Sequence, residues 1–317
     1  MIIETNVTKL RDPYIVVADG IYYAYGTGWQ CYVNKSGTLD GEWVKSSVSP
    51  TVVVPEDFEK QNWAPEVHAV DEKYYMFTTY FSSKTQHRGC SVFCSEHPEG
   101  PFVQISDGHF TPNDWDCIDA TLYIDEDGQP WSIFVHEWTC RPDHVGLMSV
   151  AKMSDDLTHL VSEPVDLFRA DDAPWAAAGV TDGCFLWRTK GGKLLMIWSN
   201  FAKDGYCVGI AESENGRPDG RWIQRDKRLY GKTDAGYPYD GGHGMIFADT
   251  DGYRSDIRQS PQYTRVSIGP HPARRSHTYA IQSVFDAILR LLCQCPSRSP
   301  RKVCPAQCSH YPYCARR

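Results

Sequence analysis

Three aspartates stand at matching places in a repeated pattern of this chain, and together they suit the hydrolysis of a glycosidic bond. Asp12, Asp119 and Asp182 each precede a short apolar run, a turn and a second apolar run. Such hydrolysis needs one carboxylate to activate water or attack the sugar, and one carboxylic acid to protonate the leaving oxygen. A third carboxylate can keep the acid protonated through like-charge repulsion. Three aspartates brought together would therefore supply every role.

The pattern occurs five times, and its spacing predicts the fold. The five starts are 53, 54, 63 and 61 residues apart and fall at Asp12, Pro65, Asp119, Asp182 and His243. This spacing, with about four strands in each repeat, is typical of a β-propeller. The first strand of each blade lines the central channel, so the five starts should converge. The sequence therefore predicts an all-β, five-bladed β-propeller.

Paired apolar runs around short turns predict the inner hairpins of the first four blades. These runs are 12–17 with 21–27, 66–70 with 74–79, 121–124 with 131–137, and 185–187 with 194–199. A returning strand ends beside the start of the strand before it. We therefore expect Thr27, Glu137, Trp138, Ser199 and Asn200 at the channel rim, with Glu137 near Asp119.

The fifth repeat starts like the others and then changes character. A turn follows His243, but the next residues, from Tyr253 to Gln259, are not an apolar returning strand. Residues 254–317 hold ten Arg and one Lys against two Asp, a net charge of +9, which leaves −17 for the first 253 residues. All ten Trp also precede residue 254. We therefore predict a propeller domain over 1–252 with an incomplete fifth blade, followed by an aberrant tail.

The tail, residues 253–317, is basic and rich in Cys, Arg and Pro. A short helix is predicted over 276–292, where apolar residues fall on one helical face, and the rest is predicted to be disordered. We favour the hypothesis that this segment is not the native continuation, as a reading-frame error would produce. A tail that binds an anionic partner is the alternative, and resequencing the gene separates the two.

Composition restricts the partners. The acidic body speaks against nucleic acid, because neutralising phosphates needs a basic face. No apolar stretch approaches the 18 residues of a membrane span, so none is expected. The first residues lack the basic region, apolar stretch and cleavage site of a secretory signal. The expected location is the cytoplasm, or the periplasm or exterior if a leader is missing.

Cysteine usage indicates free thiols in the body. Seven Cys precede residue 254, and only Cys90 and Cys94 are close in sequence, on a predicted strand with no second pair nearby. Buried free thiols are therefore favoured over a metal site.

Tryptophans lie at several strand ends beside the carboxylates. These are Trp29, Trp63, Trp115, Trp138 and Trp175. Packing in the core is the simpler interpretation of each, but we expect two or three to stack on a sugar face.

The ordered motifs resemble glycoside hydrolase family 43 over roughly residues 8–252. They are Arg11-Asp12-Pro13, Trp63-Ala64-Pro65-Glu66-Val67, Ile118-Asp119-Ala120-Thr121-Leu122 and Gly241-Gly242-His243-Gly244. The resemblance implies a five-bladed propeller that acts with inversion on arabinose-, xylose- or galactofuranose-containing glycans. It makes Asp12 the general base and Asp119 the residue that tunes and orients the acid.

The resemblance also implies a binding surface and a cation. The substrate-binding candidates are Trp63, Glu66, Trp138, Ser199 and His243. His243 matches a histidine that often lies near a water-coordinated Ca²⁺ on the axis, although it could instead only form hydrogen bonds. No cofactor is expected to be required.

Two residues remain candidates for the proton donor. The fourth repeat reads Asp182-Gly183-Cys184, where the family usually has Glu-Gly-Pro. Aspartate is one methylene shorter, and a displacement of about 1 Å can cost roughly 100-fold in rate. Asp182 is favoured by its position, and Glu137 is the rival.

The function predicted from these residues is an inverting glycosidase that removes terminal furanose or pentose residues from oligosaccharides or polysaccharides. Two alternatives remain open. One is a glycan-binding or inactivated propeller without catalysis. The other is a retaining fructan-type hydrolase, although no convincing Glu-Cys acid motif of that group is present.

Overall fold

A computed structural model describes residues 2–3, 10–49, 51–189, 191–233, 240–248, 254–259 and 264–268 of the 317. Apart from a single 3₁₀ turn at Ala170–Asp172, every regular element in this part of the chain is a β-strand. In this part of the chain the strands form five four-stranded antiparallel sheets. Each of the first four sheets consists of strands that follow one another in the sequence. The all-β class predicted from the sequence is confirmed.

Four sheets form the propeller blades, each running in sequence from the inner to the outer strand. Blade 1 comprises Tyr14–Ala18, Ile21–Gly26, Gln30–Asn34 and Val44–Lys45. Blade 2 comprises Phe58–Val70, Lys73–Ser82, Arg88–Ser95 and Val103–Gln104. Blade 3 comprises Cys117–Ile124, Pro130–His136, Leu147–Lys152 and Val165–Arg169. Blade 4 comprises Asp182–Arg188, Leu194–Ala202, Gly205–Ser213 and Trp222–Gln224. The predicted inner hairpins are confirmed in all four.

A fifth sheet joins a strand near the start of the chain to three strands within residues 242–268. Its order is Gly242–Ala248, Arg254–Gln259, Thr264–Ile268 and Ile2–Ile3. Its first strand lies between blades 4 and 1, because the backbone N–H of Ile15 donates to Met245 Sδ at 3.0 Å and His243 lies against Gly183. An incomplete fifth blade stays a prediction, and the predicted helix over 276–292 and the rest of the tail lie outside the described residues.

The core lies between neighbouring blades. Near-continuous apolar strands put large side chains on both faces of each sheet, as expected for sheets covered on both sides. One cluster packs blade 1 against blade 2 and Phe247, and another packs blade 3 against blade 4 around Trp198. The seven cysteines of the body are free, and five of them are buried. The prediction of free thiols is confirmed, although Cys140 is exposed.

Each inner strand has a residue in the left-handed region of backbone space. It lies close to the start of the strand in blades 1, 3 and 4 and in the fifth sheet, and in the middle of Phe58–Val70 in blade 2. The φ angles are 51° at Asp12, 44° at Ala64, 55° at Asp119, 45° at Gly183 and 42° at His243. In blades 2, 3 and 4 and in the fifth sheet a register shift accompanies this residue. Non-glycine residues rarely adopt such angles, and they concentrate at functional sites.

These angles correct the repeat alignment taken from the sequence. The matching positions in blades 2 and 4 are Ala64 and Gly183, one residue away from the predicted Pro65 and Asp182. The physical reason in blade 4 is space: a Cβ on residue 183 would lie 2.5 Å from the ring of His243, so only glycine fits there. Asp182 therefore precedes the repeated position that Asp12 and Asp119 occupy.

Candidate active site

Asp12 is fixed at the start of the first inner strand by two neighbours. The Thr27 hydroxyl donates to its Oδ2, and Nδ1 of His243 lies 3.3 Å from its Oδ1. Burial raises the pKa of Asp12, but the charge of His243 and these hydrogen bonds outweigh it and lower the pKa overall. Asp12 is therefore an ionised carboxylate at neutral pH, as a general base must be.

His243 joins Asp12 to Asp119. Its Nδ1 lies 3.6 Å from Asp119 Oδ2, and its backbone N–H donates to Ser199 Oγ at 2.8 Å. Burial lowers the pKa of His243, but the two carboxylates outweigh it and raise the pKa to about 10. The ring is therefore an imidazolium that holds two buried carboxylates together.

Asp119 is held from two sides of the backbone. Its Oδ2 accepts the N–H of Gly183 at 3.0 Å, and its own N–H donates to Thr79 Oγ1 at 3.0 Å. Burial raises the pKa of Asp119, and the neighbouring charge of Asp12 adds to it, whereas His243 and the Gly183 N–H oppose the rise. Asp119, the residue predicted to tune the acid, is therefore hydrogen-bonded to Gly183, which directly follows Asp182 in the chain.

Asp182 has the properties of a proton donor. Burial and the charge of Asp119 raise its pKa to about 8, against the opposing effects of His243 and of a hydrogen bond from Tyr206. The Tyr206 hydroxyl donates to Asp182 Oδ2 at 3.0 Å. At neutral pH this raised pKa keeps the carboxyl group protonated, and Asp182 is half-buried, so it retains some exposed surface.

Glu137, the rival acid, is engaged in an ion pair. Arg88 Nε donates to Glu137 Oε2 at 2.5 Å, and the same guanidinium donates to Thr139 Oγ1 at 2.8 Å and contacts Asp116 Oδ2 at 3.2 Å. Burial raises the pKa of Glu137 overall, although the Arg88 charge and hydrogen bond partly offset the rise. None of the described hydrogen bonds of Glu137 is with Asp119. The ion pair with Arg88 favours the ionised carboxylate, which has no proton to give.

The predicted binding tryptophans fall into two groups. Trp63 and Trp138 are half-buried, and the Arg88 guanidinium lies 5.9 Å from the Trp63 ring centre. Trp29 is buried in the core. Trp115, which stacks on His136 at 4.0 Å, and Trp175, which lies 4.9 Å from Trp198, are half-buried as well. Four of the five tryptophans therefore keep some exposed surface.

Two predicted binding residues have structural contacts instead. Ser199 is fully buried and accepts the N–H of His243, so its hydroxyl has no route to a sugar. Glu66 lies two residues beyond Ala64, where His68 Nε2 is 3.4 Å from its Oε2. Its carboxylate is buried with His68 along the inner strand.

The cation implied near His243 is not matched by a set of ligands. A protonated imidazole has no free lone pair for a metal. Among the described residues, no group of three His, Cys, Asp or Glu side chains is arranged to hold a metal ion. Direct coordination by His243 does not fit, and Ca²⁺ held through water stays a prediction.

Among the residues that the structure describes, no helix has the length and hydropathy to cross a membrane.

Three supporting residues were missed by sequence reasoning. Tyr206, Arg88 and Gly183 hold Asp182, Glu137 and Asp119 from other strands or other blades. For Tyr206 a signal existed: the hairpin turn at Lys203-Asp204 places it opposite Phe201, at the same end as Asp182. For Arg88 and Gly183 the contacts cross between blades, and no local pattern marks them.

A propeller-type fold that gathers three carboxylates at one end of its inner strands defines a class of glycan-cleaving proteins. The chain belongs to the glycosyl hydrolases of family 43, whose sequence model matches residues 5–262. The resemblance inferred from the motifs is confirmed.

Solved structures and curated relatives agree. An endo-arabinase from Bacteroides thetaiotaomicron superimposes with a TM-score of 0.71 at 31% identity, over 86% of this chain and all of the other. A probable arabinan endo-1,5-alpha-L-arabinosidase C from Aspergillus niger is 31% identical over 217 residues, 63% of this chain and 61% of that protein. A probable arabinan endo-1,5-alpha-L-arabinosidase B from Aspergillus fumigatus is 29% identical over 146 residues, and this match spans 39% of its length.

Proposed function

We propose that this protein is an inverting glycosidase that hydrolyses α-1,5-linked arabinan. The observation that carries the proposal is the environment of two aspartates at one site: Asp12 has a lowered pKa, whereas the pKa of Asp182 is raised to about 8. When the surroundings move the pKa values of two carboxyl groups in opposite directions, the group with the lowered pKa can act as the base and the group with the raised pKa as the acid.

In the proposed reaction the Asp12 carboxylate takes a proton from a water molecule, whose oxygen attacks the anomeric carbon. Asp182 gives its proton to the glycosidic oxygen as the bond between this oxygen and the anomeric carbon breaks. Afterwards Asp12 is protonated and Asp182 is ionised, and exchange with solvent restores both. Asp119 keeps Asp182 protonated before the reaction through its charge. Attack by water from the opposite face inverts the anomeric centre, with the two carboxyl groups about 6.5–9.5 Å apart.

The substrate class and the cutting mode are inferred from relatives. The curated and structural relatives at about 30% identity are named as endo-acting arabinan hydrolases. We therefore propose cleavage within the arabinan chain, in place of the terminal cleavage predicted from the motifs. The exposed faces of Trp63 and Trp138 are the proposed sugar contacts.

We also infer a closed five-bladed ring, with the fifth sheet as its last blade. Its inner strand contacts blades 4 and 1, and Ile2–Ile3, near the start of the chain, pairs with Thr264–Ile268. This closure keeps His243 between Asp12 and Asp119.

The test is hydrolysis of linear α-1,5-arabinan by the full chain. We expect a ladder of oligosaccharides early in the reaction, because internal cleavage releases fragments of many lengths. Asp12→Asn should lower kcat by about 100- to 10,000-fold, since the base is lost. Arabinose alone as the early product would support terminal cleavage. Binding of arabinan without hydrolysis would overturn the proposal and favour a glycan-binding propeller.

A further inference from the structure

A hydrogen bond between neighbouring blades recurs at the active end of the inner strands. A hydroxyl near the end of the second strand of one blade accepts the N–H of the left-handed residue in the next sheet. The pairs are Thr27 with Ala64 at 3.0 Å, Thr79 with Asp119 at 3.0 Å, and Ser199 with His243 at 2.8 Å. Three interfaces therefore carry the same bond.

Blade 3 breaks this pattern. Within blade 2, Thr79 pairs with Trp63, the residue just before the left-handed Ala64. Within blade 4, Ser199 pairs with Asp182, the residue just before the left-handed Gly183. In blade 3 the residue before the left-handed Asp119 is Ile118, and its partner is Val135. Val135 thus occupies the place of the hydroxyl, and a valine side chain has no acceptor.

The N–H that this hydroxyl would bind belongs to Gly183. It donates instead to Oδ2 of Asp119 at 3.0 Å. A buried N–H needs a partner, and a charged acceptor makes the stronger bond. The missing hydroxyl therefore leaves one backbone donor available to the carboxylate beside the proton donor.

We propose that Val135 is a positioning residue: by withholding a hydroxyl from the interface between blades 3 and 4, it commits the Gly183 N–H to Asp119 and so orients this carboxylate towards Asp182. The inference concerns the reaction proposed above and rests on it for the kinetic consequence. The hydrogen-bond exchange itself is independent of any activity.

The decisive variant is Val135→Thr, which restores the repeated hydroxyl at nearly constant volume. We expect the hydroxyl to capture the Gly183 N–H and release Asp119. The kcat on arabinan should fall about 10- to 100-fold with KM within about twofold, because orientation is lost and sugar contacts are kept. The basic limb of the pH profile should move to lower pH, since a freed Asp119 is more readily protonated and repels the ionised Asp182 less.

The matched control is Val150→Thr. Val150 is equally buried, lies in the same core, and pairs with Ile133 on the neighbouring strand of the same blade. Its hydroxyl would have no interblade N–H to accept, so kcat and the pH profile should stay as in the wild type. An equal loss of kcat in both variants would mean a general packing effect and would overturn the proposal.

An NMR cycle tests the hydrogen bond without using activity. In the wild-type background Asp119→Asn should move the Gly183 amide proton upfield, because an amide oxygen is a weaker acceptor than a carboxylate. In the Val135→Thr background the same change should leave that resonance in place. An insensitive Gly183 amide in the wild-type background would sink the inference, even if Val135→Thr did not fold. If the wild type does not hydrolyse arabinan but the NMR shifts are as expected, only the proposed function is rejected.

Discussion

Asp182 and Glu137 carry the same chemical group, and their surroundings separate them. Burial and the negative charge of Asp119 favour the protonated form of Asp182, and they outweigh the opposing effects of His243 and of the hydrogen bond from Tyr206. Glu137 instead faces the permanent positive charge of Arg88 at 2.5 Å. Because a general acid must hold a proton near neutral pH, the geometry favours Asp182 in spite of its shorter side chain.

This difference predicts the pH dependence of the wild type and of two variants. Below pH about 8 Asp182 is protonated and can act, and above it the acid is lost, so kcat should fall as the pH rises through 8. Asp182→Asn should abolish this limb and slow hydrolysis by about 100-fold or more, with less effect on aryl arabinofuranosides that have good leaving groups. Steady-state rates between pH 5 and 10 measure both effects.

Glu137→Gln is the matched control for that experiment. It removes a charge from the same site but should leave the midpoint of the basic limb near 8. If Glu137→Gln abolishes the limb and Asp182→Asn keeps it, the acid is Glu137 and our assignment is wrong.

At the scale of the strand, a left-handed residue recurs in all five inner strands. In blades 2, 3 and 4 and in the fifth sheet, a shift in strand register accompanies it. Asp12, Asp119 and His243 accept the strain of a positive φ, of order 1–3 kcal/mol each. In blade 4 the same position must be glycine, since the His243 ring occupies the space of a Cβ.

Gly183→Ala should therefore both strain the backbone and displace His243. We expect the free energy of unfolding to fall by about 2–4 kcal/mol and hydrolysis to be largely lost. Gly128→Ala is the control, because Gly128 also has a positive φ of 82° but nothing lies within 4 Å of an added Cβ. That variant should lose only about 1–2 kcal/mol and keep its activity. Equal losses, measured by urea unfolding, would show that His243 moves without cost.

At the scale of the molecule, the fifth sheet decides whether the site is held together. His243 comes from this sheet, whereas Asp12 and Asp119 come from blades 1 and 3. The sheet takes one strand from the start of the chain and three from residues 242–268. The described pairing therefore extends this sheet through Thr264–Ile268 to Ile2–Ile3.

Shortened chains test this closure and the hypothesis of a non-native tail together. A chain ending after Ile268 should keep the melting temperature and activity of the full chain, because every strand that is paired among the described residues is retained. A chain ending after Ala248 should melt at clearly lower temperature and lose activity, since two strands are removed and Ile2–Ile3 lose their partner. Thermal unfolding followed by circular dichroism measures both, and equal melting of the two chains would contradict closure.

The sequence by itself determined the features that repeat. The alternation of apolar runs and turns identified the hairpins. The spacing of the repeats predicted that Asp12, Asp119 and His243 converge at one end of the inner strands, because every blade places its inner strand at the axis. The motifs also identified the family. Asp182 was favoured over Glu137 only by its position in the repeat, and Glu137 stayed a rival, since the surroundings of the two carboxyl groups could not be read from the sequence.

Only the tertiary structure decided those surroundings. The contacts of Arg88 with Glu137, of Tyr206 with Asp182 and of Gly183 with Asp119 join residues 24 to 64 positions apart. The one-residue offset of Asp182 likewise depends on the space that His243 fills. Such contacts arise from packing between blades or, for Tyr206 and Asp182, between separate strands of one blade. They set the pKa of a buried carboxyl group, and no local sequence pattern encodes them.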